Sequence, residues 1–129
     1  MTLEKINPDG IVAPFNNAYH HAVIIPTGSR IAYVSGQIGF RKDGTVADDV
    51  EEQAEQTWQN VMACVQAADM GVEDVVKITA YLVNADDYPI FAQVRSKYLG
   101  QARPASTAFL VKALLKPEWR FEIEAVAAK

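Results

Sequence analysis

One cysteine, Cys64, stands in a chain of 129 residues. A single thiol forbids an intramolecular disulfide and leaves no cysteine-based metal set. Its place inside a helical apolar repeat reads as a buried structural thiol. No apolar stretch approaches the roughly 20 residues that a membrane span needs. The segment Met1–Pro8 carries no apolar run of signal-peptide length, so a cytoplasmic protein is expected, with no membrane partner. Positive charge is scarce: 12 Lys and Arg stand against 16 Asp and Glu, a formal balance of −4. With no more than two basic residues adjacent, the electrostatic footprint of a nucleic-acid-binding surface is missing. The two histidines, His20 and His21, have no further ligands at metal-binding spacing, so no metal site is expected. Internal repeats and low-complexity segments are absent.

What is present is the composition of an ordinary globular protein, half hydrophobic and 22% charged. The length suits one domain, residues 1–129, large enough to bury a core without staples. Up to Pro14 the chain lacks sustained periodicity and reads as an irregular arm. His21–Ile25, the turn Pro26-Thr27-Gly28-Ser29 and Ile31–Ser35 read as strand, turn and strand, a β-hairpin. Gly36, between Ser35 and Gln37, marks a bulge or a close backbone approach. Lys42-Asp43-Gly44-Thr45 is a turn.

From an Asp48 or Asp49 cap, Val50, Ala54, Thr57, Val61, Cys64 or Val65, and Ala68 recur every three to four residues. Glu51, Glu52 and Glu55 load the favourable end of this first helix, and Gly71 is the expected left-handed residue that stops it. Val75–Val83 follows as a strand apolar at consecutive positions, hence covered on both faces. Asn84–Asp87 form turn and cap. The stripe Tyr88, Phe91, Val94, and Tyr98 or Leu99 makes a second helix with Pro89 in its first turn and Gly100 at its end. Ala105–Leu115 and Arg120–Ala127 are the last strands, joined by a turn at Lys116–Trp119.

The order β-β-α-β-α-β-β, with right-handed crossovers, puts both helices on one face of the sheet. The opposite face is left bare although its strands read as apolar on both sides, and this predicts a homo-oligomer packed through it. Alternation in the final strand sets Phe121, Ile123 and Ala125 on one face and Glu122, Glu124 and Val126 on the other. The two carboxylates then lie roughly 6.5–7 Å apart along the strand. The small and apolar residues that follow suggest a partly enclosed face; the same pattern also fits a solvated strand edge balanced by Arg120 and Lys129.

Tyr19 with Ala22 and Val23, Ser35-Gly36-Gln37-Ile38, the Gln-rich helix ending in Asn60-Val61, Gly71 with Asp74-Val75-Val76-Lys77, Pro104-Ala105 and Glu122-Ile123-Glu124-Ala125 form an ordered set that spans nearly the whole chain. In this the sequence resembles the RidA family, also called YjgF or L-PSP. The resemblance implies a chorismate-mutase-like α+β fold with a mixed six-stranded sheet and two helices on one face, a homotrimer, and ligand clefts at subunit interfaces. It further implies hydrolysis of reactive enamines and imines to 2-oxo acids and ammonia, without cofactor or metal.

Imine hydrolysis needs a carboxylate to deprotonate water, a donor to polarise the imine and a cation to hold the substrate carboxylate. By the resemblance Glu122 is the catalytic carboxylate. Tyr19, Ser35 and Gly36 line the cleft, where Tyr19 alternatively packs as a core aromatic and Ser35 is a strand-end hydroxyl. The sequence departs from the family where deaminase-type members carry Pro-Ala-Arg-Ser; here the run is Pro104-Ala105-Ser106-Thr107. Ser106 replaces a two-pronged cation with one neutral donor, and Ala92 stands where such members often hold Asn. Ser106 and Thr107 remain pocket residues, and Arg103 is the nearest substitute cation unless it caps the second helix. Arg95 and Arg120 rank behind it.

Two alternatives accompany the deaminase reading. One is a non-catalytic trimer that binds a small metabolite. The other is the endoribonuclease-type activity attached to some relatives, which the acidic balance disfavours.

Overall fold

The computed structural model describes residues 2–129; Met1, the first residue of the expected arm, lies outside them. Six strands and two α-helices follow in the order β1 (Glu4–Ile6), β2 (Ala22–Ile24), β3 (Ile31–Gln37), α1 (Val50–Ala67), β4 (Val75–Leu82), α2 (Tyr88–Leu99), β5 (Ala105–Leu110) and β6 (Phe121–Ala128). Hydrogen bonding divides the strands into a four-stranded mixed sheet, β3-β6-β4-β5, and a two-stranded ribbon, β1-β2. The expected α+β class, with two helices and six strands of mixed direction, holds.

Both crossovers behave as their lengths require. β4 and β5 pair in parallel, with Ile78 opposite Ser106 and Thr79 opposite Thr107. β3 and β4 each run antiparallel to β6 and are therefore parallel to each other across it. The helices cover one face: Trp58, Val61, Val65, Phe91 and Val94 meet Ile78, Leu82, Phe121 and Ile123 in a single core. Each such side chain, fully buried, contributes roughly 1.5–3 kcal/mol of transfer free energy.

α1 begins where the Asp49 carboxylate accepts the Glu52 N–H at 3.0 Å and Glu51 and Glu52 face the positive end of the helix. Gln53, almost fully buried in α1, donates to the carbonyls of Ala47 (2.8 Å) and Glu118 (2.9 Å) and accepts the Arg120 N–H (3.0 Å). That amide fastens the first helix to the segment that leads into β6. Arg120 in turn grips the Asp87 carboxylate with two bonds of 2.8 Å and ties β6 to the entry of α2. α2 stops as expected at Gly100, whose φ of 57° suits a residue without Cβ.

Five local expectations are corrected. The expected hairpin does not form: β2 pairs with β1, a strand inside the supposedly irregular arm, while β3 pairs with β6. The far end of the intervening turn is committed elsewhere, since Arg30 and Lys129 exchange both backbone hydrogen bonds. The left-handed residue after α1 is Asp69 (φ 60°) rather than Gly71, which is extended. Cys64 is exposed, because the buried stripe runs through Val61 and Val65 and turns it outward.

β4 is not apolar on both faces. Val76, Ile78, Ala80 and Leu82 are buried, whereas Lys77, Thr79 and Tyr81 alternate with them on the helix-free side. The last expected strand stretch, Val111–Leu115, is irregular beyond Leu110. The helix-free face therefore mixes charged, polar and aromatic groups, so the premise of a continuous apolar patch fails.

Candidate active site

β6 delivers two carboxylates to the helix-free face by simple alternation: Phe121, Ile123 and Ala125 are buried and Glu122 and Glu124 half-buried between them. Opposite Glu124, β3 carries one residue too many, and the register slips between Val34 and Gln37. This bulge presents the backbone of Gly36 to the carboxylate of Glu122. A Cβ on Gly36 would overlap Glu122 Oε2 and lie 2.9 Å from Cδ, so only glycine leaves room for the carboxylate in this position.

Glu122 has no hydrogen-bond or ion-pair partner among the described residues, unlike Glu124, whose Oε1 accepts the Tyr81 hydroxyl at 2.8 Å. That hydrogen bond, then burial and the charges of Glu124 and Glu122, hold the Tyr81 hydroxyl above its ordinary pKa of 10.0. Tyr81 stacks on Phe109 (6.0 Å between centroids). One row along the sheet, Lys77 Nζ donates to Thr107 Oγ1 at 2.6 Å. Ser35, Lys77, Thr79 and Glu124 line a depression of about 360 Å³ on the same face.

The remaining expected residues lie on the other side of β5. Ser106 pairs in register with the buried Ile78 and lines a hollow of about 250 Å³ together with Tyr19 and Arg95. The Tyr19 hydroxyl accepts the Phe15 N–H at 3.4 Å, and its ring meets His21 edge-on. Arg103 closes the same region. Its Nε donates to Asn17 O (2.7 Å) and its Nη1 to Gly100 O (2.7 Å) and Ala102 O (2.9 Å), so it both caps α2 and holds the N-terminal segment. His20 Nδ1 donates to Arg103 O at 2.6 Å and His21 Nε2 to Val12 O at 2.7 Å.

One protomer thus brings Ser35, Gly36, Thr107 and Glu122 together on one face and Tyr19, Arg103 and Ser106 on the other. It does not bring the two groups together. Tyr81 is not among the residues expected at the site, and Arg95 was expected only behind Arg103 as a substitute cation. Period-two counting along β4 from Lys77 would have put Tyr81 on the carboxylate face. The i, i+4, i+7 spacing of Tyr88, Ala92 and Arg95 marks one stripe of α2.

These features define an α+β protein with two helices on one face of a mixed sheet and an uncommitted carboxylate on the other. The family model described as Endoribonuclease L-PSP matches residues 11–129, and the chain belongs to that family, the RidA (YjgF, L-PSP) proteins. Among curated relatives it is 33% identical to a RutC family protein of Pyrococcus horikoshii, over 75% of this chain and 78% of that one. It is 35% identical to a human protein named 2-iminobutanoate/2-iminopropanoate deaminase, over 84% of this chain and 78% of the relative.

Among solved structures, YyfB from Yersinia pestis, described as a Rid-family protein of unknown function, superposes with a TM-score of 0.86 at 30% identity over the whole of both chains. E. coli TdcF with bound serine gives 0.74 at 28% identity, over 100% of this chain and 98% of that one. Among the described residues no helix is long and apolar enough to cross a membrane.

Proposed function

We propose that this protein hydrolyses reactive imines and enamines to 2-oxo acids and ammonia, in clefts formed where subunits of a homotrimer meet. One observation carries the reading: the half-buried Glu122 carboxylate, set against the Gly36 backbone, keeps its oxygens free of any protein partner among the described residues. A carboxylate so placed suits a general base.

Glu122 takes a proton from water as the water oxygen adds to the imine carbon. That proton passes to nitrogen to give a carbinolamine; a second proton then moves from the new hydroxyl to nitrogen as the C=O bond forms, the C–N bond breaks, and ammonia leaves the 2-oxo acid. Ser35, Gly36 and Thr107 line the Glu122 side of the cleft. Tyr19, Ser106 and Arg103 line the opposing side, supplied by a neighbouring subunit. The placement of these two groups on opposite faces of β5 supports a composite site, because a single copy holds only half of it at each face.

The test is release of 2-oxo acid from freshly generated 2-iminobutanoate, measured against buffer. Acceleration is expected, with a loss of about 100-fold or more in Glu122→Gln. No acceleration would refute hydrolysis, and saturable ligand binding without product would make the protein a binding module. Sedimentation equilibrium tests the assembly: a stable monomer would remove the composite cleft.

A further inference from the structure

We infer that Arg95 of α2 holds the carboxylate of the substrate, and that the aromatic wall around it selects imino acids with bulky apolar side chains. This rests on the hydrolytic reading above. Arg95 lines the hollow that contains Ser106 and Tyr19, with Phe15, Tyr88 and Ala108 as the apolar part of its wall. A second hollow of about 270 Å³ shares Arg95 with the first and extends along Ala92.

The guanidinium of Arg95 lies with Cζ 5.4 Å from the Phe91 ring centroid. That contact orients it, yet it makes no hydrogen bond or ion pair among the described residues, and its N–H edges stay open for a carboxylate. The neighbouring cations are engaged. Arg120 is clamped by Asp87 and Lys97 by Glu55. Arg103 spends Nε and Nη1 on three backbone carbonyls, which breaks both of the paired N–H edges a two-pronged grip requires.

Ser106 contributes a neutral hydroxyl that cannot balance an anion. Small residues at Ala18, Ala92, Ser106 and Ala108 leave the hollows open, and in the first of them Phe15, Tyr19 and Tyr88 form an aromatic wall beside Arg95, with Asn16 as a polar neighbour. A carboxylate on Arg95 with an aromatic or branched aliphatic chain along that wall matches both features.

The experiment compares the imino acids generated from phenylalanine, leucine and alanine with wild-type protein and with Arg95→Met, Arg95→Lys and Glu122→Gln. Arg95→Met is expected to raise KM about tenfold or more with kcat within about twofold, and Arg95→Lys to recover part of the loss. The wild type should favour the two bulky substrates by kcat/KM. Unchanged KM in Arg95→Met, while Glu122→Gln is inactive, would overturn the anchor and leave hydrolysis standing. A preference for the alanine-derived substrate would overturn the assigned side-chain class.

If no wild-type turnover occurs, the hydrolytic reading falls, and calorimetric titration with 3-phenyl-2-oxopropanoate decides the site. Saturable binding weakened about tenfold or more by Arg95→Met sustains the anchor. Absent or unaltered binding overturns it.

Discussion

Gly36 and Glu122 occupy complementary space: the carboxylate of one fills the volume that a side chain on the other would take. Because the obstructed group is the far end of a flexible side chain, Gly36→Ala should displace the acid rather than open the sheet. The expected result is a fall in kcat of about tenfold or more, with a melting temperature near that of the wild type. Paired assay and thermal melts check it, and retained activity would separate Glu122 from the chemistry.

Ser106→Arg adds a fork to the hollow that Arg95 borders. With the cleft otherwise intact, kcat/KM for the short alanine-derived imino acid should rise about tenfold, since a charge-assisted pair replaces a neutral contact. The added bulk should lower it for the phenylalanine-derived one. Steady-state kinetics on the two substrates reads both changes. An unaltered ratio would mean that position 106 does not face the substrate.

The Arg120–Asp87 clamp joins the start of β6 to the start of α2, and the Asp87 side chain is only 7% exposed. Arg120→Ala strands that carboxylate without its partner, so stability should fall by roughly 3 kcal/mol. The midpoint of urea unfolding measures it. A change below about 0.5 kcal/mol would mean that water serves Asp87 as well as the guanidinium does.

Between the helices, Lys97 and Tyr98 both donate to Glu55 at 2.7 Å. The Lys97 bond first, then that of Tyr98, holds the Glu55 carboxyl below its ordinary 4.5. A carboxyl depressed on folding stabilises the native state above its unfolded pKa and loses that contribution as pH falls through the folded one. Stability should therefore decline on acidification below about pH 4.5, and less steeply in Glu55→Gln. Unfolding midpoints across pH 2–6 test this, and parallel slopes would dismiss the pair.

Much of the local structure was legible. The Asp49 cap, the Ala54-Thr57-Val61-Val65 stripe, the Pro89 and Gly100 limits of α2 and the Glu122/Glu124 alternation all rest on residues within one turn or a few pleats of each other. The hairpin was not, because the partner of β3 is a strand at the other end of the chain and the turn after β2 looked sufficient. Cys64 and Gly71 misled for a related reason. Adjacent Val65 fits the same helical stripe as Cys64, and Asp69 takes up the left-handed turn before the glycine is reached.

By itself the sequence determined the two helices, their caps, the polar and apolar sides of the last strand, and the family. These follow from short-range period and chemistry. Only the tertiary structure decided that Tyr19 shares a hollow with Ser106 and Arg95, that Arg103 is bound to backbone carbonyls and that Arg95 stands open. Such outcomes depend on which distant segments meet and use up one another's hydrogen bonds, and no spacing along the chain records that.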